Sequence, residues 1–181
     1  MPLAGQDDRP HPPDPSPEWS ETWGFEFTND VVSGFVRFTR VPSRGVCWCW
    51  ISLRGPDVGL VVVRDDDVPL PRRDDSLEVR GDGLWLELVC ETSFEHWGIG
   101  LEAFGLRVDS PTDSVGDRLP VGLDLEWETD GTAPDERADT VYTQTGVIHG
   151  DVLLADDRFP YEAPCTRDHA WGTANLPVWP T

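Results

Sequence analysis

The sequence predicts an all-β domain, an antiparallel barrel of about ten strands with only minor helix. Three observations lead there. From Trp23 onward, apolar and polar residues alternate with a period of two. The alternating segments have strand length and are separated by Gly, Pro and Asp clusters, which suit hairpin connections. No ten-residue stretch repeats apolar side chains at spacings of three and four, so little helix is expected. A chain of 181 residues fits one such domain with a real core.

Taken in order, residues 1–18 form a Pro/Asp-rich segment without periodicity, expected to be disordered, in which His11 has no evident role. The barrel domain is expected over residues 19–181. Trp23 to Phe27 puts three aromatics on one face and Glu26 on the other. Phe35–Val41, Val46–Leu53, Val58–Arg64 and Leu77–Arg80 follow as strands. Arg80-Gly81-Asp82-Gly83 has the chemistry of a tight hairpin leading into Leu84–Leu88. His96–Val108 is a long strand, with a bend expected at Gly100 or Gly105. Val121–Thr129 alternates most cleanly, with Val121, Leu123, Leu125 and Trp127 inward and Asp124, Glu126 and Glu128 outward. Val141–Leu154 is one long strand or two joined near Gly150. Asp65 to Asp75 and Asp130 to Ala138 read as solvated loops. Strands of this kind closing on themselves give a lipocalin-like barrel, which removes exposed edges and encloses room for one small ligand.

Charge narrows the partners. The formal net charge is −20, and all 14 basic residues are Arg. Such a surface repels phosphate backbones and anionic lipid, so no nucleic-acid or membrane-surface partner is expected. A dense acidic surface without Lys suits high ionic strength, and a GC-rich genome favouring Arg codons explains the missing Lys equally well. No stretch reaches the ~20 apolar residues of a membrane-spanning helix, and no basic-plus-apolar leader opens the chain, so a cytoplasmic protein is expected. The cysteines, Cys47, Cys49, Cys90 and Cys165, lack zinc-site spacing and read as buried apolar side chains. The Asp65-Asp66-Asp67 run lacks the ligand spacing of a calcium loop. Neither a metal nor a cofactor is expected.

No Gly-x-Ser-x-Gly elbow, phosphate-cradling Gly loop or His-Glu-x-x-His is present, which disfavours hydrolases, kinases and zinc peptidases of those types. Histidines within the fold then carry the candidate chemistry. His149 shares a strand face with Thr145 and Val147. The densest group is Arg167-Asp168-His169-Ala170-Trp171-Gly172. Asp168 would serve as an acid raised by burial, and His169 as a base near neutral pH. The alternative is structural: Asp168 bonds Arg167 or backbone amides while Trp171 plugs a barrel end.

Three segments carry a resemblance: Trp19-Ser20-Glu21-Thr22-Trp23-Gly24-Phe25-Glu26-Phe27, Tyr142-Thr143-Gln144-Thr145-Gly146-Val147-Ile148-His149-Gly150, and the Arg167–Gly172 group. In order and distance they resemble the first barrel of the hydroxyneurosporene synthase-like superfamily, which includes carotenoid 1,2-hydratases and AttH-like proteins. Ala170 stands where that family usually has Ser. The resemblance covers about residues 18–175 and implies the N-terminal half of a double lipocalin-like barrel. It also implies a ligand cavity in the barrel region. The barrel pattern and the aromatic supply suit a module that holds a hydrophobic small molecule (isoprenoid, polyketide or acyl chain), with Trp171, Tyr142, Gln144, Trp97 and Trp127 as its lining. Read as an enzyme, the family's chemistry is cofactor-free hydration of an isoprenoid double bond, with Asp168 protonating the alkene and His169 or His149 activating water. Read as an interaction protein, the chain is a half-barrel that pairs with itself or with a separately encoded second barrel.

Overall fold

Among the described residues, eleven strands form one antiparallel sheet that curls into a partly closed ring. The computed structural model describes residues 3–173 and 176–179. Ala174, Asn175, Pro180 and Thr181, at the end of the expected barrel domain, lie outside the described residues. The strands are β1 (Trp19–Thr28), β2 (Ser33–Val41), β3 (Val46–Gly55), β4 (Gly59–Pro69), β5 (Glu78–Gly81), β6 (Leu84–Thr92), β7 (His96–Val108), β8 (Asp117–Thr129), β9 (Asp135–Ala138), β10 (Val141–Leu154) and β11 (Asp157–Thr173). Ten of them run in the order β4-β3-β2-β1-β11-β10-β8-β7-β6-β5, and β9 lies off this path, paired with β10. Closure comes where Leu60, Val61 and Val62 of β4 pair with Val108, Arg107 and Leu106 of β7. The β5–β6 hairpin extends the sheet from the other half of β7, so the ring is closed in part. This is the lipocalin-like architecture that the alternation predicts.

The period-two pattern sorts side chains as expected. Trp23, Phe25 and Phe27 all point inward and are buried, as are Trp97 and Trp127. Each such aromatic removes ~150–250 Å² from water, roughly 4–6 kcal/mol of transfer free energy as an upper bound. Cys47 and Cys49 are free, buried and inward, and burial pushes the Cys47 thiol up to about 12. Trp48 and Trp50 lie on the opposite face of β3, stacked with ring centroids 5.5 Å apart, and Trp179 packs edge-on against Trp50. That outer cluster also holds Leu60, Val62 and Val108.

The structure corrects four readings. First, β11 is a 17-residue strand where the sequence reading ended its strands at Leu154. Its charged residues and Pro160 and Pro164 mask an inward row of Tyr161, Ala163, Cys165, Arg167 and His169. Both prolines lie beyond the last β1 pair, Phe27–Cys165, where β11 is paired on one side only. Second, Asp135–Ala138, read as loop, forms the exposed strand β9 against the start of β10. Third, β4 continues through Asp65–Asp67 to Pro69, with a register shift opposite Cys47 and Cys49. Fourth, residues 3–18 contain only a 3-10 turn over Gly5–Asp8, but they lie on the barrel rather than away from it. Asp8 is completely buried, because it meets charges that composition alone could not reveal.

Gly146 faces inward on β10, and a Cβ there would sit 2.3 Å from the Glu128 carbonyl and 2.7 Å from the Trp127 ring. Gly146→Ala is therefore expected to cost about 1–3 kcal/mol by overpacking. The readout is a thermal midpoint lowered by several degrees; an unchanged midpoint would mean that β8 and β10 are not held at this distance.

Candidate functional site at one barrel end

The starts of β1, β7 and β10 and the ends of β2, β6, β8 and β11 meet at one end of the barrel. Register decides which side chains share the interior there. Glu21 pairs with Arg40 on one side and Trp171 on the other. His169 lies between Trp23 and Tyr142, and Arg167 lies beside Gln144. Each of these occupies an inward position in its strand, so charged and polar groups collect inside an aromatic wall.

Two buried arginines anchor the cluster. Arg167 is 1% exposed and lies 4.8 Å over the Trp127 ring, with Tyr142 at 5.2 Å, Trp97 at 5.5 Å and Phe94 at 5.9 Å. Its Nη2 forms an ion pair with Asp8 Oδ1 at 2.7 Å and donates to the Tyr142 hydroxyl at 3.1 Å, and Nε and Nη2 both donate to Gln144 Oε1. Gln144 passes the order outward, donating through Nε2 to the carbonyls of Phe94 and Thr132, each at 2.9 Å. Arg40, 4% exposed, donates to Glu21 Oε2, to the His11 carbonyl at 2.7 Å and to the Asp74 carbonyl at 2.8 Å.

The irregular N-terminal segment supplies the other half of the site. Asp8 is ion-paired with Arg167 and accepts from the Tyr142 hydroxyl, from Trp97 Nε1 at 3.1 Å, from the Phe94 amide at 2.5 Å and from the Cys90 thiol at 3.9 Å. His11 bonds Glu21 Oε1 through Nδ1 at 2.7 Å and stacks on Trp171, centroids 4.1 Å apart and planes 14° from parallel. Residues 5–11 thus form a stopper in the barrel mouth. Two carboxylates, Asp8 and Glu21, face two guanidiniums, Arg167 and Arg40, so the ionised groups balance.

Burial alone would raise the Glu21 carboxyl, but hydrogen bonds from His11 and His169 and the Arg40 charge hold it below its ordinary 4.5. Burial, partly offset by Glu21, holds His169 below its ordinary 6.5. A neutral imidazole beside an ionised Glu21 carries its proton on Nε2, donated to Glu21 Oε1 at 3.0 Å. Nδ1 then carries no proton and lies 3.4 Å from the Tyr142 hydroxyl, whose one proton is donated to Asp8. Burial also lifts the Tyr142 hydroxyl well above its ordinary value, so it stays protonated. His11, Glu21 and His169 have one donor atom each within 4.8 Å of one another. Two His and one Glu suit a divalent cation by donor type, but an ion there would add two positive charges beside Arg40 in a charge-balanced interior. The hydrogen-bonded network is the better account of this group.

The expected site residues separate into two sets. Tyr142, Gln144, Trp97, Trp127, His169 and Trp171 are brought together at this barrel end. Asp168 faces the other way, toward solvent: it is 30% exposed, pairs with Arg37 at 3.3 Å, and lies over Gly24, where a Cβ would sit 2.3 Å from its Oδ1. His149 is also on the outer face, 42% exposed and 3.7 Å from Glu128. Asp8, His11, Glu21 and Arg40 escaped the sequence reading. Glu21 and Arg40 left a signal, since each shares its strand face with buried aromatics, Trp19 and Trp23 for one and Phe38 for the other. Asp8 and His11 left none.

The partly closed antiparallel barrel is a lipocalin-like fold, with polar groups gathered inside one aromatic mouth. The chain belongs to a family described as a domain of unknown function, DUF7064, which matches residues 4–179 and so takes in the N-terminal segment. No curated protein matches the chain. Among solved structures it is similar to a candidate AttH from Nitrosomonas europaea, at 11% identity and a TM-score of 0.59 over 87% of this chain and 52% of that one. CghA is more distant, with 12% identity and a TM-score of 0.48 over 91% of this chain and 52% of that one. The chain spans about half the length of these two proteins. The likeness to the AttH candidate is one of fold. No helix among the described residues is long and apolar enough to cross a membrane.

The two displaced titrations set a pH dependence. His169 has a lowered folded value, so the unfolded chain binds the extra proton first, and stability falls as pH drops through about 6.5. Glu21 is also lowered, so its contribution is complete above 4.5 and is lost below it. Thermal midpoints measured from pH 8 down to pH 4 should therefore fall on acidification, beginning below about 6.5. His169→Gln should flatten that upper limb; an unchanged profile in the variant would place the titration elsewhere.

Proposed function

We propose that the protein is a lipocalin-like module that binds a hydrophobic small molecule, an isoprenoid, polyketide or acyl chain, at this aromatic mouth. One observation carries the reading: a few convergent polar groups sit among Trp97, Trp127, Tyr142, Phe94 and Trp171, beneath a stopper that is not part of the sheet. A largely aromatic seat with a small number of fixed polar groups is the usual make-up of a small-molecule site. A stopper held by side-chain contacts opens at a lower free energy than strands locked in a ladder. The resemblance to the carotenoid 1,2-hydratase and AttH-like superfamily supports the same ligand class.

Nile red, an uncharged apolar dye, should bind with one-to-one stoichiometry, and Trp171→Ala should weaken it about tenfold by removing one wall. A flat dye titration, together with native mass spectra showing no retained lipophile, would sink the reading.

A second reading, an enzyme of the hydratase type, draws support from His169 and Glu21. A neutral imidazole bonded to an ionised carboxylate is an acid–base pair placed in the mouth, whereas Asp168 and His149 face outward. Pairing with a second barrel, in a second copy or a separate chain, is supported by the half-length match to the AttH candidate. Light scattering on the purified chain reads self-pairing directly, and a monomer at every concentration counts against it.

A further inference from the structure

We propose that the mouth is a carboxylate-binding site, that Asp8 of the chain's own N-terminal segment fills it as a stand-in, and that an amphipathic carboxylic acid takes Asp8's place. The inference rests on the reading that the mouth is the ligand seat, and adds the chemistry of the ligand's polar end.

One ion pair and three N–H or O–H hydrogen bonds, from four places in the fold, converge on the Asp8 carboxylate. They come from Arg167 Nη2 on β11, the Tyr142 hydroxyl on β10, Trp97 Nε1 on β7 and the Phe94 amide in the β6–β7 turn. None belongs to the segment that Asp8 sits on. This carboxylate receives donors on both oxygens, with Arg167 held in position from behind by Gln144. Charge-assisted bonds from a fixed guanidinium are the usual means of selecting a carboxylate.

The Phe94 backbone shows how one of these donors is aimed. It adopts a φ of +62°, a left-handed conformation that an aromatic residue rarely takes. That conformation accompanies an amide directed at the carboxylate and a carbonyl that accepts from Gln144. Backbone strain of this kind collects at ligand clamps.

The segment over the site is suited to withdrawal. Apart from Asp8 and His11, its ties to the barrel include the Ser93 hydroxyl on the Gly5 carbonyl at 2.8 Å and the Leu3 amide on Glu136 at 3.2 Å. Where Arg9 and Pro10 run, a cavity of about 270 Å³ opens with Leu77, Leu88 and Trp97 on its wall and Arg73, Asp75 and Glu87 at its rim. An acid bound with its carboxylate on Arg167 would lay its apolar tail along this course, in the space the segment gives up.

The test compares laurate with dodecanol, which share a chain and differ in the carboxylate, by calorimetry on the unaltered chain, on Asp8→Asn and on Arg167→Met. Removing the internal competitor should tighten laurate on the order of tenfold in Asp8→Asn, because a larger fraction of molecules is open. Laurate should be preferred to dodecanol by at least about tenfold there, and Arg167→Met should erase that preference. Where a variant does not fold, hydrogen exchange on the unaltered chain decides: laurate should speed exchange of the Arg9 and His11 amides, and dodecanol should not. Equal affinities for the two probes, or laurate binding with residues 5–11 still protected, would overturn this proposal while leaving the hydrophobic seat standing. Neither probe binding to the chain or to Asp8→Asn would overturn both.

Discussion

Two guanidinium groups sit inside this barrel, and the rest of the mouth is arranged around neutralising them. An unpaired buried charge costs several kcal/mol even after relaxation, so the interior can close over Arg167 and Arg40 only if matching carboxylates are delivered to them. Glu21 comes from the neighbouring strand and reaches Arg40 by register alone. Asp8 has to be brought back from outside the sheet. That requirement explains why a Pro-rich segment with no strand of its own nevertheless has a fixed place in the fold.

The aromatic residues do two jobs at once. They supply the apolar area that a chain with 38% hydrophobic residues would otherwise lack. Around Arg167 they also present four ring faces within 6 Å, which offsets part of the cost of taking the cation out of water. A guanidinium suits this setting better than an ammonium. Its planar fork can lie flat on Trp127 while its edges bond Asp8, Tyr142 and Gln144. The consequence for function is a mouth whose polar groups are held in position by the sheet, while its cover is held only by side-chain contacts.

How far the site was legible follows from how each residue is placed. Alternation alone puts Tyr142 and Gln144 on one face of β10 and Arg167, His169 and Trp171 on one face of β11, and those faces point inward. The same parity rule sends Asp168 and His149 outward. The Arg167–Gly172 group therefore reads correctly as a dense local cluster but divides between two sides of the sheet. The length of β11 was hidden because its outward positions carry Pro and charge, and its inward ones carry Arg and His where apolar residues are looked for. Glu21 and Arg40 were visible as charges on apolar faces, an anomaly whose cause is each other.

By itself the sequence determined the class of fold. Period-two patterning fixes which face of each strand is buried, and turn chemistry fixes where most strands end, because both act between residues close in the chain. The acidic surface and the aromatic core are likewise set by composition. Only the tertiary structure decided that β1 pairs with β11 along nine residue pairs, and that Asp8 lies against Arg167. Those contacts join residues more than a hundred positions apart, and nothing local in either segment encodes the partner. Long-range charge pairing inside a barrel becomes definite only once closure has removed the water that would otherwise satisfy each group alone.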